Sequence, residues 1–82
     1  MSNDFAADIS ARARWARDHN DSWPKDAWST GEKFAVALVL DKITAIAEMG
    51  YSRADAVERL AGDIGGTLAD AEAWIEQVRG TL

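Results

Sequence analysis

Ser29-Thr30-Gly31-Glu32, followed by KFAVALVLDKITAIAEM over Lys33 to Met49 and then Gly50, is the stretch on which the fold turns. Its opening has the S-x-x-E form of a capping box, in which the Ser and Glu side chains satisfy each other's orphan backbone donors and so start a helix. Gly50 is the residue type that adopts the left-handed position after a helix at little cost, so the spacing predicts one long helix from about Ser29 to Met49. Along it Lys33, Ala37, Asp41, Thr44 and Glu48 fall in a narrow strip, while Phe34, Val36, Leu38, Val39, Leu40, Ile43 and Ile46 occupy most of the remaining circumference. A helix that apolar is enclosed on more than one side, which makes it the central element.

Working outward, residues 4–18 read as an amphipathic helix with Phe5, Ile9, Ala13 and Ala16 on one stripe and Ser2 or Asn3 as its cap. Asp4 and Asp8 lie near its start and Arg12, Arg14 and Arg17 nearer its end, an order that suits the helix dipole. His19 through Trp28 gathers Asn20, Asp21, Ser22, Pro24 and Asp26, which break helices and make turns, so this is a connector. Trp23 and Trp28 sit in it, where an aromatic either folds back as a lid on the core or stands out as a binding anchor. Beyond Gly50, Ser52 caps a short helix to about Ala61, with Gly62 as its stop, and Thr67 caps a last helix from Leu68 to Arg79. Inward positions there are Ala56, Val57 and Leu60, then Leu68, Ala71, Trp74, Ile75 and Val78. No strand pattern competes. The expected fold is therefore all-α, one compact four-helix domain over residues 1–82, with a helix and connector at 1–28 and a three-helix bundle at 29–82.

Composition sets the classes of function. A chain of 82 residues holds one small core, and 48% hydrophobic with 28% charged residues is globular composition rather than that of a disordered polyelectrolyte. Nine Lys and Arg against 14 Asp and Glu leave a net charge of −5, the wrong sign for a protein held on nucleic acid or anionic lipid by its overall field. The absence of Cys removes thiol catalysis, disulfides and thiolate metal sites. The apolar run Phe34–Leu40 is far short of the roughly 20 residues that span a bilayer, and the start of the chain lacks the pattern of a secretory signal. These point to the cytoplasm and to no membrane partner. His19, the single His, lies in a flexible connector without an oriented base or oxyanion site, and no metal or phosphate-loop spacing occurs, so neither an enzyme nor a cofactor is expected.

The Met49-Gly50-Tyr51 turn after Ile43 and Ile46, then Ala56 and Leu60, Gly65-Gly66, and Leu68, Ala71, Trp74 and Ile75, give the stretch over about residues 41–79 an order that resembles the ubiquitin-associated (UBA) domain family. The resemblance implies a three-helix bundle whose Met-Gly-aromatic turn and last helix form one apolar contact face. Here that face would join Met49, Gly50, Tyr51, Ile75 and Val78, with ubiquitin as the implied partner. One extra residue around Asp63 to Gly66, and Glu76 after Ile75, depart from the family pattern. With six Arg to three Lys and abundant Ala, the chain is also similar in style to accessory proteins of phages and plasmids, which would make the partner a host protein.

The function expected is protein binding through Met49, Gly50, Tyr51, Ile75 and Val78, with Trp23 and Trp28 as second candidates. A homodimer through the apolar central helix is a further partner reading. Two other classes compete. The last two helices loosely resemble a helix-turn-helix, although Asp70, Glu72 and Glu76 oppose phosphate. Alternatively, Asp41, Glu48, Asp55, Glu58, Asp63, Asp70, Glu72 and Glu76 would imitate nucleic-acid phosphate if gathered on one face.

Overall fold

The computed structural model describes residues 4–82. It is all-helical: α1 (Asp4–His19), α2 (Thr30–Val39), α3 (Ile43–Glu48), α4 (Arg53–Ile64) and α5 (Leu68–Arg79). Ser2 and Asn3, the expected caps of α1, lie outside the described residues. No helix among the described residues is long and apolar enough to cross a membrane.

The expected single central helix is two helices, so the described residues form five helices rather than four. At the end of α2, Asp41 takes a left-handed backbone with φ 56°. Its N–H donates to the Leu38 carbonyl at 3.2 Å, and the Lys42 N–H donates to Ala37 at 2.8 Å. This is the double bond pattern of a Schellman ending, with Asp in the position Gly usually fills. The Arg79 guanidinium closes the rest, donating to the carbonyls of Leu38 and Val39, each at 2.9 Å. Length gives the physical reason for the break. A continuous helix over residues 30–49 would be about 30 Å long, as long as the molecule's longest extent of 29 Å. Breaking it lets α3 turn back and bury Ala45 and Ile46. Asp tolerates the left-handed region better than most residues but still loses energy there, so Asp41→Gly is expected to stabilise the fold by up to about 1 kcal/mol. Urea denaturation checks this, and a loss of stability would show that the Asp side chain itself is required.

α2 carries the core. Phe34 through Val39 are all buried, and each of the other four helices packs against it. The apolar surface of α2 from Phe34 to Val39 is therefore covered within the chain, while Leu40, Ile43 and Met49 beyond it are partly buried. α1 supplies Ile9, Ala13 and Ala16, and it rests on α5 as well as on α2. Leu68, expected inward, is exposed at the first position of α5. Gly62 does not end α4, which continues to Ile64 and stops at Gly65, whose φ of 71° provides the left-handed cap.

Three helices begin with reciprocal capping boxes: Ser29 with Glu32, Ser52 with Asp55, and Thr67 with Asp70. In each, the backbone N–H of the cap donates to the acid, at 2.9 Å in all three. That bond, reinforced by the cap hydroxyl, holds the carboxyls of Glu32, Asp55 and Asp70 below their ordinary range. The hydrogen bond from Arg53 does the same for Glu72. With the folded pKa depressed, the native state binds fewer protons than the unfolded chain, so the stabilisation is complete above the unfolded carboxylate values and is lost as pH falls through the folded ones. The urea midpoint is expected to stay level from neutral pH to about 5 and to fall progressively below about 4. A midpoint that rises on acidification would contradict it.

Candidate functional site

The connector after α1 is folded by its own polar groups. Asn20 N–H and Ser22 N–H both donate to the Ala16 carbonyl at 2.9 Å, and the Asn20 side-chain amide donates to the Trp23 carbonyl at 2.8 Å. Asp21 and Ser22 take consecutive left-handed conformations, φ 54° and 65°. Two such residues in succession are costly away from Gly and persist only where their surroundings impose them. The reversal buries Pro24 and lays Trp23 and Trp28 half-buried against the core. Both tryptophans thus act as lids while each keeps part of its surface outside.

The residue that sequence reasoning missed is Trp15. It is 37% exposed and lies off the Phe5, Ile9, Ala13, Ala16 stripe, between Arg14 and Arg17. That position was the available signal, since a large aromatic on the polar side of an amphipathic helix has no packing reason to be there. The Trp28 ring meets Trp15 edge-on with centroids 5.6 Å apart. Lys25 Nζ lies 5.6 Å from the Trp15 ring, Arg12 Cζ 5.0 Å from Trp28, and Lys42 Nζ 5.4 Å from Trp23. Each ring is thereby held by a cation, an arrangement worth about 0.5–1 kcal/mol apiece at exposed sites. Arg12 also joins Asp8 at 2.9 Å and Glu32 at 3.1 Å, which ties α1 to the first turn of α2.

Two clefts run along this face and share Trp23 and Pro24. One, of about 560 Å³, lies between Trp15 and Trp23. The other, of about 170 Å³, leads past Lys33 to Met49. The structure therefore places Trp28, Trp15, Trp23 and Met49 along one apolar band, through the Trp15–Trp28 contact and the two cleft walls.

It does not assemble the face expected around the turn. Gly50, with φ 87°, reverses the chain after α3, so that Met49 borders the connector cleft while Tyr51 packs edge-on to Phe34 at 5.1 Å on the side of α2 and α4. Tyr51 is 48% exposed. Ile75 and Val78, at 1% and 3% exposure, are core residues and form no shared face with Met49 and Tyr51. The reason is that α5 packs against α1, α2 and α4.

Most of the carboxylates considered as phosphate mimics are engaged locally. Asp55 and Asp70 close capping boxes, Glu72 holds Arg53 at 2.7 Å, Asp63 holds Arg59 at 3.3 Å, and Glu76 holds Arg79 at 2.9 Å. The same pairs occupy the three arginines of α4 and α5, which removes cations a helix-turn-helix would aim at phosphate. Comparison with known proteins finds no matching family model, curated protein or solved structure.

Proposed function

We propose that this protein is a non-enzymatic protein-binding module, of the kind that modulates a host protein, and that it grips its partner with the band formed by Trp28, Trp15, Trp23 and Met49. The observation that carries this reading is Trp15, a large aromatic outside the core, ordered by Trp28 and Lys25 and bordered by a cleft. Tryptophan anchors dominate the energetics of many interfaces because they bury much area with few freely rotating bonds. Here the rings are already ordered, so less rotamer entropy remains to be lost on association.

The test compares affinity capture from the native host by the whole protein and by two variants. Trp15→Ala is expected to abolish capture of the specific partner, through an affinity loss on the order of 30-fold. Its unfolding free energy should fall by about 1–2 kcal/mol, the worth of the ring contacts with Trp28 and Lys25, with the helical circular dichroism spectrum unchanged. Tyr51→Ala, on the other flank of the turn, should leave capture intact. The reverse pattern would move the binding face to Tyr51.

The UBA resemblance remains a proposal for α3, α4 and α5. It is supported by the Met49-Gly50-Tyr51 turn between α3 and α4 and by the exposed Tyr51. With Ile75 and Val78 inside the core, a ubiquitin contact of that type would rest on Tyr51 and its immediate neighbours. Ubiquitin titration followed by NMR, with shifts confined to the Tyr51 turn as the positive result, tests it.

A further inference from the structure

A separate cleft, sharing no lining residue with those beside Trp15 and Trp23, lies elsewhere on the surface. It lies between α1 and α5, encloses about 500 Å³, and combines the small side chains of Ala6 and Ala7 with Trp74, Arg14 and Gln77. This volume falls in the range typical of small-molecule sites.

Two observations give the cleft a chemical preference. The first is Trp74. The residue is 93% buried, being 7% exposed, and its indole Nε1–H is enclosed with no hydrogen-bond acceptor among the described residues. A donor that has lost water and gained nothing leaves the fold short by about 1–3 kcal/mol. Native interiors rarely leave such a group without a reason. Phe5 stacks on the same indole at 5.5 Å with 25° between the planes, which fixes the ring's attitude.

The second is charge. Arg14 brings a guanidinium to the cleft wall, anchored through Nη2 to the Thr81 carbonyl at 2.8 Å. Around it the hydroxyls are internally committed. Thr81 Oγ1 donates to the Val78 carbonyl at 2.7 Å, so the 2.8 Å contact between Ser10 and Thr81 has Ser10 as donor. What remains to a ligand is a cation, an amide at Gln77, an unsatisfied N–H and apolar walls. Trp74 also borders a second hollow beside Gly65 and Gly66, but that one contains Asp70 and repels an anion.

We propose that the α1/α5 cleft is a binding site for a small amphiphilic carboxylate, its head held by Arg14 and the Trp74 N–H and its apolar body laid along Ala6, Ala7 and Val78. Charge-assisted bonds to a carboxylate are roughly twice as strong as neutral ones, and the pairing supplies the acceptor that Trp74 lacks. The half-buried Phe5 ring, stacked on the indole, is the neighbour that must shift for a ligand to reach the N–H. This site is independent of the tryptophan band.

The experiment follows the indole N–H resonances of the 15N-labelled protein by NMR while octanoate is added, with 1-octanol as the uncharged control. The protein has four Trp, and loss of one cross-peak in Trp74→Phe assigns the relevant one. Octanoate is expected to move the Trp74 resonance downfield in a saturable way, whereas 1-octanol leaves it in place. Arg14→Gln should weaken the effect about tenfold. Arg14→Lys, which keeps the cation, should retain most of it, and this separates charge recognition from the structural bond to Thr81. No saturable movement of Trp74, an equal response to 1-octanol, or unchanged affinity in Arg14→Gln would each overturn the assignment.

Discussion

Trp74→Ala is expected to lower the unfolding free energy by about 3–5 kcal/mol, the range for removal of a large aromatic from a core. The ring is buried in α5, stacks on Phe5 of α1, and so joins the first and last helices of the domain. An 82-residue domain has a total stability of about 4–12 kcal/mol, so the variant should lose at least about a quarter of it. Trp74→Phe makes a sharper comparison. It loses part of the ring volume, which destabilises, yet it also deletes the unpartnered N–H, worth about 1–3 kcal/mol in the opposite direction. The two effects should nearly cancel. Urea denaturation followed by far-UV circular dichroism measures both. A cost below about 1 kcal/mol for Trp74→Ala would mean that the ring does not join α1 to α5.

Arg79→Ala is expected to cost about 2–3 kcal/mol, because it removes two bonds from a charged donor to part-buried carbonyls. Those carbonyls belong to Leu38 and Val39, the final residues of α2; Leu38 also accepts from the Asp41 N–H, so the Val39 carbonyl leans most on Arg79. The cation also sits where the negative end of the α2 dipole attracts it. Arg79→Lys keeps the charge but not the fork that reaches two neighbouring oxygens, so it should recover less than half of the loss. The Arg79–Glu76 pair contributes little, since exposed pairs of this kind are worth about 0–1 kcal/mol. Glu76→Gln should therefore leave stability almost unchanged. A large effect of Glu76→Gln together with a small one of Arg79→Ala would reverse the roles assigned to these groups.

The features legible in the sequence are those set within a few residues. The starts of α2, α4 and α5 follow from Ser29, Ser52 and Thr67, whose partners lie three positions on. The inward faces of α1 and α4 follow from helical spacing, and Ile9, Ala13, Ala16, Ala56, Val57 and Leu60 are all buried. The end of α2 was not legible. Asp41 looks like one more member of a polar strip until Arg79, 38 positions away, is seen to take up the carbonyls that the break releases. The same limit affects the site. Ile75 and Val78 share an apolar face with Trp74, and only the packing of α1 and α4 against it decides that this face is inside. Trp23 and Met49 are 26 positions apart, and their meeting depends on where α3 turns after the break. Trp15 alone carried a local sign of its role, standing on the polar side of its helix.

Arg79 has one more consequence, in the order of events during synthesis. The ribosome delivers α1 and α2 well before the residue that fastens the end of α2, so the nascent chain passes through an interval in which the Asp41 corner lacks its clasp. In that interval the apolar sequence from Phe34 to Ile46 is free to run on as one rod. The arrival of α5 then fastens the bend that Asp41 begins, so the middle of the chain is completed by its last helix.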